Sequence, residues 1–352
     1  MRAAMPTLYI TEPGATVRLR SESLEVTIPE EAMENAVEAK PADLPPRQVE
    51  LHRLELVALV GRAHITSEAM LACLDRGVAV AFFRRDGRFR GRLCPGSDRC
   101  GDLRVLQYAA HNDASARLVR ARHVVWAKAR NAMAVLAGHQ SNDSRNPALP
   151  AAISALKAMV TGIEAAMSPE SLLGHEGTAA RHYFGALATT FRGEIGFTAR
   201  RQHPSPDPAN ALLSFGYVLL GNLLAGRLEA RGLDPAIGFF HEVHSGRPSL
   251  ALDLLEELRH PVVDRFVVRA CNLGMLRAKH FEPDPDRPGG VRATRAGLKI
   301  VLAEWEKHLL KLLRDAEGGE KIAVRHLMDR QIERLVADLR GKAPYRPFLY
   351  GD

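Results

Sequence analysis

The sequence predicts an α+β protein, with a small β-rich domain over residues 1–98 followed by a larger all-α domain over residues 99–352. Two observations carry this. Apolar residues recur with period two in short segments up to about Leu93, and with a period near 3.6 from Asp102 onward. The run 209–231 is apolar almost all round, as expected of a helix at the centre of a helical core. At 352 residues, the chain is long enough for each part to bury a core of its own.

In the first part, 8–10, 16–20 and 24–28 alternate as strands. The polar insert 30–47, with Pro41, Pro45 and Pro46, reads as an exposed loop or short helix before the apolar run 51–60. A short helix at 67–76 stops at Gly77, and a strand follows at 78–83. Asp86-Gly87 then signals a hairpin that carries Arg84, Arg85, Arg88, Arg90 and Arg92. These arginines suit contact with nucleic-acid phosphates, or protection of a sheet edge from further pairing. The period changes near 94–101, where a joint between the domains is expected.

In the second part, a helix at 114–137 is expected to expose Arg117, Arg120, Arg122, Lys128 and Arg130, with a polar linker over 138–147. Ser168-Pro169 supplies an N-cap and a first-turn proline for the helix that holds Glu176. The segment 280–293 reads as a loop. Thr294 caps a helix with the stripe Leu298, Leu302, Trp305, Leu309 and Leu312.

The formal charge is +7 and the pI about 9.4, with arginine far ahead of lysine, so an anionic partner is indicated and nucleic acid leads the classes. Four cysteines without CxxC spacing do not make a disulfide scaffold and suit a reducing cytoplasm. Residues 1–10 lack the apolar core of a secretory signal. The most apolar run, 211–225, is interrupted by Ser214, Gly216 and Asn222, is too short to span a bilayer and is read as a buried helix.

The chemistry concentrates at 232–259, GLDPAIGFFHEVHSGRPSLALDLLEELR. His241 ends an apolar turn. Asp253 and Glu256, at i and i+3, share one helix face opposite Leu250, Leu254, Leu255 and Leu258. Glu176 falls on the stripe Leu172, Glu176, Ala180, Tyr183, Leu187, Phe191, where a carboxylate needs a cation; Arg181 or Arg259 would be the structural partner. His241 and His244 lack the spacing of HExxH, so Glu242 and His244 read as loop residues, and no GxSxG elbow presents a serine. One histidine with carboxylates is a mostly hard donor set, suited to Mg²⁺ or Mn²⁺ more than to a closed zinc site. Such an ion activates a hydroxyl and neutralises charge on a phosphodiester.

Three stretches, GHEGTAARHYF (174–184), NALLSFGYVLL (210–220) and 232–259, resemble the CRISPR-associated integrase and endonuclease, the catalytic one of the two universal spacer-acquisition proteins. LYITEPGATVRLR and GRFRGRL support the likeness, which covers nearly the whole chain. The resemblance implies a homodimer that assembles with a small ferredoxin-like partner and joins short DNA fragments to a repeat array, with Mg²⁺ or Mn²⁺, by transesterification. It also implies that Glu176, His241 and Glu256 are the metal ligands and catalytic residues. By helix spacing Asp253, one turn before Glu256 on the same face, can orient a water or a ligand, and Arg259, at i+3, can hold that carboxylate or contact a phosphate; Tyr217 is a further supporting candidate. Asp253 remains an alternative third ligand. Two rival functions are a DNA-binding scaffold whose carboxylates are structural, and a metal hydrolase of small phosphate esters.

Overall fold

The structure is a computed structural model that describes residues 7–29, 48–85, 87–94, 101–202 and 204–351. The insert 30–47, residue Asp86 and most of the expected joint lie outside the described residues. The chain divides into two compact units, Met1–Ser97 with Ala293–Lys307, and Asp98–Arg292 with His308–Asp352.

The first unit is built from strands β1 (Thr7–Ile10), β2 (Thr16–Arg20), β3 (Ser23–Thr27), β4 (Gln48–Glu50), β5 (Leu56–Val60), β6 (His64–Ile65), β7 (Ala79–Phe83) and β8 (Phe89–Leu93), with helix α1 (Ser67–Asp75). They form two four-stranded sheets, ordered β1-β5-β7-β8 and β4-β3-β2-β6. Strands β1, β5 and β7 run parallel, and β8 returns antiparallel at the edge. Ile10, Val17, Leu24, Val57, Cys73 and Val80 meet in one buried core, which accounts for the period-two pattern. Only the second half of the run 51–60 is a strand, because Leu51–Arg53 forms a 3₁₀ turn. Thr66 caps α1, and Gly77, at φ +76°, ends it in the left-handed region that favours glycine.

The second unit holds α2 (Gly101–Asn112), α3 (Ala114–Asn142), α4 (Ala148–Glu164), α5 (Pro169–Ala188), α6 (Pro208–Ala230), α7 (Ser249–Leu258) and α8 (Arg265–Asn272). A short hairpin follows, β9 (Phe281–Pro283) with β10 (Val291–Ala293), inside the segment read as loop. Then come helix α9 (Arg295–Leu309), strands β11 (Leu312–Asp315) and β12 (Lys321–Ala323), helix α10 (Val324–Leu339) and strand β13 (Tyr350–Gly351). The last three strands form a sheet ordered β12-β11-β13. The strands concentrated before residue 94 and the helices after 101 make the α+β layout that the period change predicts.

Four expectations are corrected. Most of α9 groups with the β-rich unit rather than with 99–352. Its Glu306 accepts from Tyr9 at 3.1 Å, and its Lys299 pairs with the fully buried Glu12 at 3.0 Å. Leu312 leaves the apolar stripe of that helix for β11, where it is exposed. Helix α3 continues to Asn142, which shortens the linker. Finally, α6 is long and apolar enough to cross a membrane; it serves as a core helix, with Leu213, Leu220, Leu224 and Leu228 fully buried.

Between α7 and α8 the chain makes a π-helical turn, Arg259–Asp264. Pro261 lies in it and has no N–H to donate to the helical ladder, a local cause for the wider turn.

Candidate functional site

Glu176 lies on α5, Glu256 on α7 and His241 on the loop before α7. The group that links the two glutamates is Lys128, from the middle of α3. Its Nζ lies 2.7 Å from Glu256 Oε2 and also pairs with Glu176 Oε1. His241 Nε2 stands 3.8 Å from Glu256 Oε1. Glu256 is 4% exposed and Lys128 5%, so the charges meet in a largely dry interior, whereas the Glu176 side chain keeps 23% of its surface. Among the described residues, no three His, Cys, Asp or Glu side chains stand close enough to ligate one ion as they are. The two glutamates are joined through the lysine ammonium.

Lys128 is the residue that sequence reasoning misses. The sequence alone groups it with arginines on an exposed helix face, yet only Arg130 of that set is exposed. Arg117 binds Phe239 O at 3.0 Å, Arg120 pairs with Asp338 at 2.7 Å, and Arg122 binds Ala166 O at 2.9 Å. The signal is present in the spacing: Ala121, Val125, Lys128, Ala132 and Val135 fall at helical intervals, and all are buried. Arg181 is exposed and does not pair with Glu176 as the structural alternative supposes.

The acid face of α7 is also buried. Asp253 is 1% exposed and Glu256 4%, so neither faces outward. Asp253 accepts the backbone N–H groups of Phe239 at 2.5 Å, Phe240 at 3.1 Å and His241 at 2.9 Å, and the His241 ring Nδ1 at 2.8 Å. A carboxylate offers only acceptors, so Nδ1 carries the hydrogen and the Nε2 lone pair is left toward Glu256. Gly238 is required here by close approach, since a Cβ at that position would stand 2.6 Å from Asp253 Oδ2. Glu242 and His244 are exposed loop residues, as the spacing predicts.

Glu256 has opposing influences. Burial raises its carboxyl, and the charges of Arg259, Lys128 and His241 outweigh burial and bring it down to about 2. The Arg259 guanidinium bonds Glu256 Oε2 at 3.0 Å and lies over the Tyr217 ring, 4.4 Å from its centroid. Tyr217 donates to Asp264 Oδ1 at 2.5 Å, and Asp264 Oδ2 receives Tyr183 at 2.9 Å and faces His260 Nδ1 at 2.7 Å. The π-helical turn thus presents Arg259 at one end to Glu256 and Asp264 at the other to two tyrosines. Arg259 touches Glu256 directly, and Tyr217 is linked to it only through the Arg259 guanidinium.

The arginines of the β7–β8 hairpin lie in the other unit. Strand β8 is an edge strand, Arg85 and Arg90 are exposed, and Arg92 sits 5.7 Å from the centroid of the half-exposed Phe89 ring. This placement is compatible with edge protection and with phosphate contact alike.

A profile of the family described as CRISPR associated protein Cas1 matches residues 8–307. The chain is 35% identical over 342 residues to "CRISPR-associated endonuclease Cas1 1" of Thermus thermophilus, covering 97% of this chain and 98% of that one. The chain belongs to the Cas1 family. Among solved structures, "Casposase bound to integration product" superposes with a TM-score of 0.83 at 22% identity, covering 98% of this chain and 93% of that one. The "Cas6-RT-Cas1--Cas2 complex" gives 0.78 at 20% identity, covering 99% of this chain and 36% of the longer one. Both likenesses establish a shared Cas1 fold.

Proposed function

We propose that this Cas1 chain is a divalent-metal-dependent DNA endonuclease and integrase of CRISPR adaptation, with Glu176, His241 and Glu256 holding Mg²⁺ or Mn²⁺. The observation that carries the site is the meeting of Glu176 and Glu256 on one ammonium, with His241 Nε2 beside Glu256. Two carboxylates and an imidazole whose other nitrogen is tied to Asp253 fit a hard divalent ion, and a cationic group already occupies the place where the carboxylates converge. A metal bound there supplies Lewis-acid activation of a water or 3′-hydroxyl and neutralises charge on the attacked phosphodiester.

The chain's own residues do the rest. Asp253 holds the His241 loop and fixes the imidazole tautomer. Arg259 keeps Glu256 ionised and oriented while stacked on Tyr217. Lys128 balances the charge of the two glutamates.

Family membership supports duplex DNA, both inserted fragment and repeat array, as substrate. It also supports a homodimer that works with a small ferredoxin-like partner, and a cytoplasmic setting agrees with the free, buried thiols of Cys73 and Cys271. The Lys128 bridge also favours the scaffold reading, in which the carboxylates are structural ion-pair partners. Cleavage of linear DNA by the purified chain with Mn²⁺ and with EDTA separates the two: activity lost in EDTA supports the enzyme, and no activity under either condition supports the scaffold.

A further inference from the structure

On the second unit lies a cleft of about 610 Å³, within the size range of ligand sites. Arg265, Arg269, Lys311, Arg314 and Lys321 line it, and none of its lining residues among the described ones is Asp or Glu. We propose that this cleft is a phosphate-backbone subsite for a DNA strand, separate from the Glu176–His241–Glu256 cluster.

The cleft gathers its basic side chains around one cavity. Several basic side chains of the unit find carboxylates, as in Arg120 with Asp338, Arg292 with Glu282 and Arg330 with Asp315, but among the described residues no carboxylate lines this cleft. Arg265, Arg269, Lys311 and Lys321 have no ion-pair partner among the described residues. They come from α8, β12 and the turn before β11, so the positive field is assembled by the fold rather than by one helix face. Cations gathered around one cavity repel each other, and an anion entering it relieves that repulsion. Arg265 is stacked on the buried Tyr350 ring, 4.5 Å from its centroid, which fixes the guanidinium at the wall of the cleft.

The shape favours a chain over a compact anion. The cleft runs on into a second, polar hollow of about 170 Å³ through the shared residues His139, Asn142 and Asn272; the one carboxylate there, Asp143, is bound by Arg192. The cleft also has a fixed separation from the carboxylate cluster. His139 lies on the same run of α3 as Lys128, about 16 Å further along the helix axis. A DNA strand covers that span in about five nucleotides. The cleft would therefore grip the strand a few phosphates away from the one attacked.

The proposal stands on the charge and shape of the cleft and does not need the glutamates to be catalytic. Its test is fluorescence anisotropy with a short oligothymidylate in EDTA, on the full chain and on the double variant Arg269→Glu/Lys321→Glu, with thermal melting to check the fold. Both side chains are exposed. The expected result is an affinity at least about tenfold weaker and a shallower salt dependence, by about 0.7 per lost phosphate contact. If charge reversal prevents folding, Arg269→Gln/Lys321→Gln gives the same readout. Equal affinity and an equal salt slope in a folded variant overturn the proposal. So does displacement of a bound poly-glutamate probe that depends on these residues while oligothymidylate binding does not, which would make the cleft a dock for an acidic protein segment. A Glu176→Ala protein that binds the oligonucleotide normally but cuts nothing keeps this subsite independent of the catalytic assignment.

Discussion

Asp253 Oδ1 receives both the backbone N–H of His241 and its ring Nδ1, at 2.9 and 2.8 Å. The loop and the imidazole are thus held by one carboxylate that is itself buried. Sequence reasoning assigns Asp253 a minor part, orienting a water or a ligand. Its hydrogen bonds make it structural as well. Asp253→Ala leaves three backbone donors and the imidazole without their acceptor, and should lower stability by about 3 kcal/mol. Asp253→Asn should keep more of the fold but present its amide N–H₂ to at least one donor, disturb the His241 tautomer and lose most of the cleavage. Urea melts of both variants, set beside their cleavage rates, test this; an Asn variant with full activity would remove Asp253 from the role of holding His241.

Lys128 and the glutamates form the second test. Removing the ammonium leaves Glu176 without its observed partner and Glu256 with Arg259 and His241 alone. Lys128→Met should therefore destabilise the metal-free chain by about 3 kcal/mol, the scale for breaking a buried ion pair. Added Mn²⁺ should then raise the melting temperature more in the variant than in the parent chain, because the ion would replace a missing charge. Calorimetry with and without Mn²⁺ reads this directly. Equal shifts in the two proteins would mean that the ion does not bind where Lys128 sits.

The site ligands are tested by Glu176→Ala, His241→Ala and Glu256→Ala. Each should abolish metal-dependent cleavage and strand joining while oligonucleotide binding persists. The three should differ in stability: Glu256→Ala takes from Arg259 its carboxylate partner and leaves Lys128 with the more exposed Glu176 alone, so it should cost the most, and Glu176, with more of its side chain in solvent, the least. Circular dichroism melts beside the cleavage assay make the comparison. A folded Glu176→Ala or His241→Ala protein that cuts DNA at the parent rate would defeat the assignment.

The β-rich unit and the helices are legible from periodicity, since each strand or helix puts its own apolar residues on one face. Helix α9 is where that reasoning stops: its residues are helical by local pattern, but which core they join is decided by Glu12 and Tyr9, nearly three hundred positions away. The site divides in the same way. Glu176, His241 and Glu256 stand out through the motifs around them, whereas Lys128 carries no motif and looks like one more base in an arginine-rich helix. Its buried position follows from the interval between Val125 and Ala132, a cue overridden by the expectation that lysine is solvated. The pattern of α7 also marks one polar face, but nothing local tells that the loop 239–241 and Lys128 will cover that face.

The last prediction concerns acid. His308 is 5% exposed and its Nε2 lies 2.9 Å from Val262 O, while the Phe266 ring stands 5.3 Å away. Burial lowers its pKa from 6.5 to about 4, the Val262 carbonyl opposes that shift, and the positive charges of Arg265 and Arg269 add to it. The folded chain therefore holds His308 neutral, while the unfolded chain takes up a proton below its ordinary pKa. With the folded value below the unfolded one, the contribution is fully present above about pH 6.5 and is lost as pH falls toward 4, for a total of about 3 kcal/mol. His308→Phe keeps an aromatic ring and removes the titration. Urea unfolding at several values between pH 7 and pH 4 should show a steep loss of stability in the parent and a shallower one in the variant, which begins with a small deficit from the missing hydrogen bond. Parallel curves would mean that acid sensitivity in this window comes from other groups, and that His308 is protonated in the folded chain without cost.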